Sequence, residues 1–256
     1  MTGSTVAAEA RGVAGALPNL IIIGAMKCGT TALHRLLDEH PDIAMARGKE
    51  LNFFFGPATD PGGNAASTWH RGLGWYAGRF DARATIRGES SPGYTSPDHP
   101  EVAGRMAAVV PGVRLVYLVR DPIERAVSQY RHHRADGTEP RPVADALLDP
   151  DSQYIARGRY FDRLTPFLQE FASEQILVMS QEDLLRDPDH SMHLVYRFLG
   201  VEPPVPAAPP ARRWNVARGG DVVLPRQLRD RLGREFADDV ARLREFTGQK
   251  FATWSV

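Results

Sequence analysis

The chain has 256 residues, 43% of them hydrophobic and 24% charged, and its 31 Lys and Arg residues balance 31 Asp and Glu residues. These values are ordinary for a folded globular protein and argue against a disordered, collagenous or membrane-spanning chain. Zero net charge argues against nucleic acid as a partner. The single cysteine, Cys28, excludes an internal disulfide, which is typical of a reducing compartment.

The N-terminal segment, residues 1–17, is small and polar and lacks the basic and apolar regions of a secretory signal. We expect it to be a disordered tail, followed by one domain over residues 18–256. No stretch approaches the ~20 apolar residues that a membrane span requires. The sequence therefore predicts a cytoplasmic protein with no membrane partner, and it leaves the oligomeric state open.

Strand-like and helix-like segments alternate along the chain. The β-branched run at 20–23 predicts a strand buried on both faces, and 32–40 predicts a helix stopped by Pro41. This alternation predicts an α/β domain with a mostly parallel central sheet flanked by helices. Further strands are predicted at 43–46, 113–119 and 176–179, and further helices at 121–136, 191–199 and 227–246.

The start of the helix at 121–136 carries a capping pattern. Asp121 is suited to accept hydrogen bonds from the first free N–H groups, and Pro122 occupies the first helical position. Glu124 completes a pattern similar to a capping box. We therefore expect the chain to turn sharply from strand to helix at this point.

The segment 24–31 joins the first strand to the first helix through a glycine-containing turn. Such a turn directs backbone N–H groups and the positive end of the helix dipole towards an anion. Gly24 and Gly29 have the spacing of the nucleotide triphosphatase loop, but Lys27 precedes the second glycine instead of following it. Lys27 is therefore expected to address the phosphate nearest the nucleoside, and anion binding is favoured over an empty glycine turn.

A second anion site is predicted beyond the strand at 113–119. Arg120 follows that strand, at the edge where open α/β sheets place their ligands. Ser128 lies two helical turns further on, so the two side chains can bind one further phosphate. The alternative is that Arg120 only pairs with Asp121 or Glu124.

Three function classes are compatible with these two anion sites. The first is a transferase that uses a nucleotide with phosphates at two positions. The second is a P-loop kinase or triphosphatase, which is disfavoured by the position of Lys27 and by the lack of a Mg²⁺-binding acid after the strand at 113–119. The third is a non-catalytic nucleotide-binding or sugar-binding protein on the same scaffold.

Three segments, in this order, resemble the sulfotransferases that use 3′-phosphoadenosine 5′-phosphosulfate (PAPS). The likeness is strongest to the heparan sulfate N-sulfotransferases and 3-O-sulfotransferases, and it extends over nearly the whole chain past residue 18. It implies a P-loop-like sulfotransferase fold, PAPS as the donor and 3′-phosphoadenosine 5′-phosphate (PAP) as its product. The segments are Ile-Ile-Gly-x2-Lys-x-Gly-Thr-Thr at 22–31, Lys-Glu-Leu-x-Phe-Phe at 49–54 and Arg-Asp-Pro-x-Glu-Arg-Ala-x-Ser-x-Tyr at 120–130.

The resemblance also implies which residues bind the nucleotide. Arg120 and Ser128 would bind its 3′-phosphate. The loop that binds its 5′-phosphosulfate would consist of Lys27, Cys28, Gly29, Thr30 and Thr31. A late loop that closes over the nucleotide in the family would correspond here to Trp214, Arg218, Gly219 and Gly220.

Three residues take catalytic roles in the resemblance. Glu50 occupies the position of the general base, and Lys27 that of the cation that stabilises the leaving phosphate oxygen. His132 matches a histidine of the N-sulfotransferase branch and lies on the same helix face as Ser128. The alternatives are an ion pair of Glu50 with Lys49 or an arginine, and a solvated surface position for His132.

The acceptor is the least constrained part of the reaction. Asn52 stands where the 3-O branch has a histidine, which leaves open whether a hydroxyl or an amine is sulfated. We expect a small-molecule, glycoside or natural-product acceptor, and no metal, because the histidines show no ligand spacing with Cys28 or a carboxylate pair. Aromatic side chains expected to stack on the acceptor are Trp69, Trp75, Tyr76, Tyr94 and Tyr154.

Overall fold

The structure is a computed structural model, and it describes residues 16–57, 66–150, 152–204 and 222–256. Its centre is a parallel sheet of five strands in the order β2-β3-β1-β4-β5. Every residue of the first strand is buried, as the apolar run predicts. The strands are β1 (Leu20–Gly24), β2 (Ile43–Met45), β3 (Ile86–Ser90), β4 (Arg114–Val119) and β5 (Ile176–Ser180).

Ten α-helices flank this sheet within the described ranges. All four helices and all four strands that the sequence predicts are confirmed, with ends that differ by a few residues. The fifth strand of the sheet was not predicted. The α/β fold with a parallel sheet is confirmed with them. The helices are α1 (Thr30–Asp38), α2 (Gly72–Ala77), α3 (Val102–Val109), α4 (Pro122–Ala135), α5 (Val143–Leu148), α6 (Gln153–Ala156), α7 (Tyr160–Glu170), α8 (Gln181–Arg186), α9 (Pro188–Leu199) and α10 (Arg226–Thr247).

The strand that the sequence analysis missed is β3, which pairs with β1 and β2 inside the sheet. Its sequence, Ile-Arg-Gly-Glu-Ser, has the polar look of a loop. Gly88 lets the Met45 side chain pack closely on the strand, because a Cβ at this position would lie 2.2 Å from the Met45 sulfur. Arg87 donates to the Leu17 and Ala84 carbonyls, so its charge does not prevent a place in the sheet.

The first described residues already belong to the core. Leu17 is 4% exposed, and its carbonyl accepts a hydrogen bond of 2.8 Å from Arg87 Nε. The predicted tail therefore cannot include Leu17, and residues 1–15 lie outside the described part.

The start of α4 confirms one half of the capping prediction and corrects the other. Asp121 Oδ1 accepts the N–H groups of Ile123 and Glu124 at 2.9 and 3.1 Å. The Glu124 carboxylate does not complete a capping box, because it accepts instead from Arg229 of α10 at 2.8 Å. An ion pair with a distant helix thus replaces the local hydrogen bond.

Candidate active site

The predicted site residues that follow β1 and β4 directly lie at the carboxyl edge of the sheet. Because the strands are parallel, the segments that follow β1, β3 and β4 all leave from this edge. The segment around Glu50 joins them there, since the Glu50 N–H donates to the Ser90 carbonyl at the end of β3 at 2.9 Å. Open α/β sheets bind their ligands at this edge.

The loop after β1 presents free hydrogen-bond donors. The backbone N–H groups of Lys27, Gly29, Thr30 and Thr31 donate to no protein acceptor in the ranges that the structure covers. Gly29 caps α1 with φ at +91° and contributes no side-chain bond of its own. Lys27 also has a positive φ, 70°, which L-residues rarely adopt. These four amides are therefore available to bind a ligand.

Lys27 lies in the electrostatic field of both ends of α4. Partial burial lowers the pKa of the Lys27 ammonium, the Asp136 carboxylate at the far end of α4 opposes this, and the Arg120 guanidinium adds to it. Lys27 and Arg120 are thus near enough to repel each other. Two cations held together in this way favour a ligand that brings several negative charges.

Cys28 faces the opposite direction from its neighbours. Its side chain is fully buried with Sγ 3.6 Å from the Tyr160 hydroxyl, and burial raises the pKa of the thiol to about 11. Its backbone N–H donates to the Ala25 carbonyl at 3.2 Å. Cys28 therefore anchors the loop in the core, and neither its thiol nor its N–H is free for a ligand.

Arg120 and Ser128 are half-buried at the start and middle of α4. The alternative that Arg120 pairs with Asp121 or Glu124 is not what the structure shows, because Glu124 pairs with Arg229. The Asp121 carboxylate accepts only backbone and hydroxyl donors. Within the described residues, the Arg120 and Ser128 side chains have no hydrogen-bond or ion-pair partner, so both can bind a ligand.

Glu50 forms the ion pair that the sequence offers as its alternative role. Lys49 Nζ lies 2.7 Å from Glu50 Oε1, and the Glu50 side chain is 54% exposed while that of Lys49 is 20% exposed. Glu50 and Asn52 both have positive φ, 62° and 51°. Backbone held in this region by non-glycine residues costs roughly 1–3 kcal/mol and is found most often at functional sites.

A buried acid of β3, Glu89, lies next to the side chains that hold the Glu50 segment, and it was not predicted as functional from the sequence. Glu89 of β3 is fully buried and accepts from the Tyr76 hydroxyl at 2.5 Å, and burial raises the pKa of its carboxyl. The nearby Tyr94 and Ser91 hydroxyls partly oppose this rise in pKa, although Glu89 Oε1 has no hydrogen-bond partner within the described residues. Their hydroxyl oxygens in turn accept the N–H groups of Phe54 at 3.4 Å and Asn52 at 3.1 Å.

His132 and His133 separate as the helix geometry requires. The exposed His132 lies 3.3 Å from the Asp136 carboxylate, and this is the acid whose field reaches Lys27. His133 Nδ1 lies 2.8 Å from the Tyr154 hydroxyl, and its pKa is lowered, mainly by burial. His132 and Lys27 thus share Asp136 as a neighbouring carboxylate, and His133 packs against Tyr154.

Arg157 is a second residue that the sequence analysis did not single out. Its guanidinium lies 3.0 Å from Asp98 and 4.0 Å from the Met26 sulfur in the anion-binding loop. Burial is the main cause of a lowered Arg157 pKa. It precedes Gly158 and lies between Tyr154 and Tyr160 without a recognisable spacing, so only the folded chain reveals that it reaches the loop.

The aromatic side chains expected to stack on an acceptor divide into two groups. Tyr76, Tyr94 and Tyr154 are buried in the core at 0, 1 and 2% exposure, so the expectation is wrong for these three. Trp69 and Trp75 are partly exposed. The Trp75 ring lies between the guanidinium groups of Arg71 and Arg79, each 4.9 Å from its centroid.

The residues of the predicted late loop, Trp214, Arg218, Gly219 and Gly220, lie outside the described residues. In the described part of the chain, no group of three or more His, Cys, Asp or Glu side chains is arranged to bind a metal ion. No helix in that part combines the length and apolar character needed to cross a bilayer.

Comparison with known proteins connects this site to a family. Residues 18–204 match the family model described as the Sulfotransferase family. A sulfotransferase crystal structure from Alicyclobacillus acidocaldarius is 30% identical with a TM-score of 0.75, over 93% of this chain and 99% of that one. Its length and fold thus correspond to those of this chain almost throughout.

Two curated relatives are larger proteins. The heparan sulfate glucosamine 3-O-sulfotransferase 3B1 of Mus musculus is 32% identical over 198 residues, 73% of this chain and 47% of the relative. The bifunctional heparan sulfate N-deacetylase/N-sulfotransferase 2 of Bos taurus is 29% identical over 212 residues, 73% of this chain and 22% of the relative. The chain therefore spans less than half the length of these relatives. Because the family model matches residues 18–204, the chain belongs to the sulfotransferase family.

Proposed function

We propose that this protein transfers a sulfuryl group from PAPS to a hydroxyl or amine of an acceptor molecule. One observation carries the proposal most directly. The free N–H groups of residues 27 and 29–31 and the unpaired Arg120 offer two groups of donors for anions at the carboxyl edge of the sheet, and Arg120 is close enough to Lys27 to lower its pKa. PAPS carries negative charge at two positions, on its 5′-phosphosulfate and its 3′-phosphate, which fits this arrangement.

The residues present fit this nucleotide in a defined way. Lys27, Gly29, Thr30 and Thr31 would hold the 5′-phosphosulfate through free amides and one ammonium group. Arg120 and Ser128 would hold the 3′-phosphate, with the guanidinium able to donate two parallel bonds. Cys28 is no longer proposed as a nucleotide-binding residue, because its thiol contacts Tyr160 and its N–H donates to Ala25. Trp214, Arg218, Gly219 and Gly220 remain a proposal from the family resemblance.

PAPS would supply an activated sulfuryl group bonded to the 5′-phosphate, and this phosphate is the leaving group when sulfur bonds to the acceptor. Lys27 provides the positive charge that stabilises the developing charge on the leaving oxygen. Glu50 takes the proton of the acceptor hydroxyl or amine, which requires that its ion pair with Lys49 yields to the acceptor. His132, in the last turn of α4 and 3.3 Å from Asp136, would assist at the acceptor or the leaving group. These are the three catalytic residues of the proposal.

Two other classes of function fit less well. A P-loop kinase needs a lysine after the second glycine and an acidic residue that holds Mg²⁺, and this chain has Thr30 and Arg120 in those places. A non-catalytic nucleotide-binding protein is disfavoured by the match of residues 18–204 to the Sulfotransferase family, whose curated relatives are named as enzymes. We propose no metal for the reaction.

The acceptor and location are proposed on narrower grounds. The carbohydrate acceptors named for the curated relatives support a carbohydrate or a small molecule as the acceptor here. Of the aromatic candidates, only Trp69 and Trp75 are exposed enough to stack on it. The buried free thiol of Cys28 supports a reducing, cytoplasmic location.

Thermal unfolding with added nucleotides tests the donor. We expect PAP to raise the melting temperature without Mg²⁺, because a ligand that binds only the folded state stabilises it. Greater stabilisation by ATP with Mg²⁺ would contradict the proposal. An acceptor screen with isotope-labelled PAPS, read by mass spectrometry, then identifies the product, and binding of PAP without transfer to any acceptor would favour the non-catalytic alternative.

A further inference from the structure

Residues 249–255, which we call the strap, pack against the start of α4 next to Arg120. The Ser255 N–H and hydroxyl both donate to Asp121 Oδ2, at 2.6 and 2.7 Å. The Trp254 indole N–H donates to Glu182 Oε2 at 3.1 Å, and Glu182 Oε1 accepts the Asp121 N–H at 2.9 Å. The strap thus donates hydrogen bonds to the Asp121 and Glu182 carboxylates, and Glu182 in turn binds the N–H of the peptide bond that follows Arg120.

The strap is fixed to the core independently of these bonds. Phe251 and Trp254 are 5% and 7% exposed, and their rings stack with centroids 4.2 Å apart and an interplanar angle of 14°. Trp254 also packs on Tyr160 at 5.9 Å, and Gln249 Nε2 donates to the Val178 carbonyl of β5 at 2.8 Å. Ser255 is therefore brought to Asp121 by packing that does not depend on Arg120.

The donors of the strap carry no charge, and this matters for Arg120. An aspartate oxygen that lacks donors attracts a neighbouring guanidinium, since arginine and carboxylate form strong bidentate pairs. Asp121 Oδ1 is already occupied by the cap of α4, and Oδ2 is occupied by Ser255. With both oxygens satisfied, the Asp121 carboxylate does not compete for Arg120, which accordingly has no protein partner among the described residues.

We propose that Ser255 and Trp254 are positioning residues that keep the Arg120 guanidinium free for the 3′-phosphate of the nucleotide. This inference rests on the proposed function, which assigns that phosphate to Arg120. Ser255 acts through Asp121, and Trp254 acts through Glu182, which holds the Asp121 backbone. Neither residue is required to touch the nucleotide.

The test compares two nucleotides that differ only in the 3′-phosphate. Calorimetric titration of Ser255→Ala and Trp254→Phe measures affinity for PAP and for adenosine 5′-monophosphate. Each variant should bind PAP about 3–10-fold more weakly, the size expected when one hydrogen bond is lost, and adenosine 5′-monophosphate within about twofold of the unchanged protein. Trp254→Phe keeps an aromatic ring in the stack, and Thr253→Ala, at an exposed neighbouring position, is the matched control with no change.

The outcomes separate this inference from the proposed function. If the unchanged protein binds PAP no more tightly than adenosine 5′-monophosphate, or if Arg120→Ala keeps that preference, the proposed role of Arg120 fails and the inference with it. If Arg120→Ala abolishes the preference while both strap variants retain it in full, the inference alone is overturned. Equal losses for the two nucleotides would show that the strap only stabilises the fold and would also overturn it. In the Arg120→Ala background, Ser255→Ala should have no further effect on PAP affinity.

Discussion

The two sides of the candidate site differ in how their polar groups are satisfied. On the first, unpaired side, four amides of the loop after β1 and the Arg120 and Ser128 side chains have no protein partner in the described ranges. The charged groups of the second set, which we call the paired side, bond to one another, although His132 and Asp136 also belong to α4 and its C-cap. These pairs are Lys49–Glu50 at 2.7 Å, His132–Asp136 at 3.3 Å and Arg157–Asp98 at 3.0 Å.

This difference indicates two kinds of preorganisation. Unpaired donors fixed by the backbone bind a permanent anion without first breaking a protein contact. Paired charges remain compensated until an acceptor replaces one partner, so they suit a group that must gain or lose a proton during the reaction. Changes on the first side should therefore lower nucleotide affinity, and changes on the second side should lower turnover while affinity remains.

The largest effect is expected on the paired side, at Glu50. Glu50→Gln should lower turnover of an acceptor found in the screen by about 10²–10⁴-fold, because it removes the proton acceptor while it keeps the shape of the side chain. PAP affinity, measured by calorimetry, should change less than about threefold. Lys49→Gln is the matched control, since it breaks the same ion pair but leaves the carboxylate, and its turnover should stay within about tenfold. If Glu50→Gln lost PAP affinity by as large a factor as it lost turnover, the division into two sides would be contradicted.

The next effect is expected on the unpaired side, at Arg120. Arg120→Ala should weaken PAP binding by about 2–5 kcal/mol, because a phosphate loses a charged partner that no other described side chain replaces. Arg83→Ala, at an exposed position before β3 and therefore at the opposite edge of the sheet, should leave PAP affinity unchanged. A full retention of affinity in Arg120→Ala would show that the 3′-phosphate binds elsewhere.

A smaller effect is expected in the loop, at Gly29. Gly29→Ala forces a Cβ into a backbone with φ at +91° and should lower the free energy of unfolding by about 1–2 kcal/mol, measured by denaturant titration. The new Cβ would lie 2.8 Å from Gln181 Nε2, the flexible end of a side chain, so the backbone conformation causes most of the loss. Gly74→Ala in α2 meets no atom within 4 Å and serves as the control that should not destabilise the protein.

The smallest effect is expected at Cys28. Because burial raises the pKa of its thiol to about 11, iodoacetamide should not alkylate the native protein at pH 8, with or without PAP, whereas the unfolded protein should react. Mass spectrometry of the intact chain measures this. Rapid alkylation of the native protein that PAP suppresses would instead place Cys28 in the nucleotide site.

The sequence predicts the elements whose physics is local. The apolar run of β1, the glycine turn after it and the cap at Asp121 each depend on residues close in sequence, and each is found where expected. β3 was missed because two of its polar side chains bond to residues in other segments. Glu89 accepts from the Tyr76 hydroxyl, and Arg87 donates to a carbonyl 70 residues away.

Within the site, the sequence predicts candidate residues but not the contacts that their side chains make. The orientation of Cys28 into the core depends on Tyr160, 132 residues later. The contact of Arg157 with Met26 and the strap beside Asp121 likewise join segments more than 130 residues apart. Such contacts arise from the parallel sheet, which brings the ends of its strands to one edge, and no local pattern predicts them.

A crystal structure with PAP bound tests the central claim most directly. The account predicts the 5′-phosphate within hydrogen-bond distance of the amides at 27–31 and the Lys27 ammonium. It predicts the 3′-phosphate on the Arg120 guanidinium and the Ser128 hydroxyl. A nucleotide bound away from this edge of the sheet, or bound with its 3′-phosphate in solvent and Arg120 paired to Asp121, would contradict it.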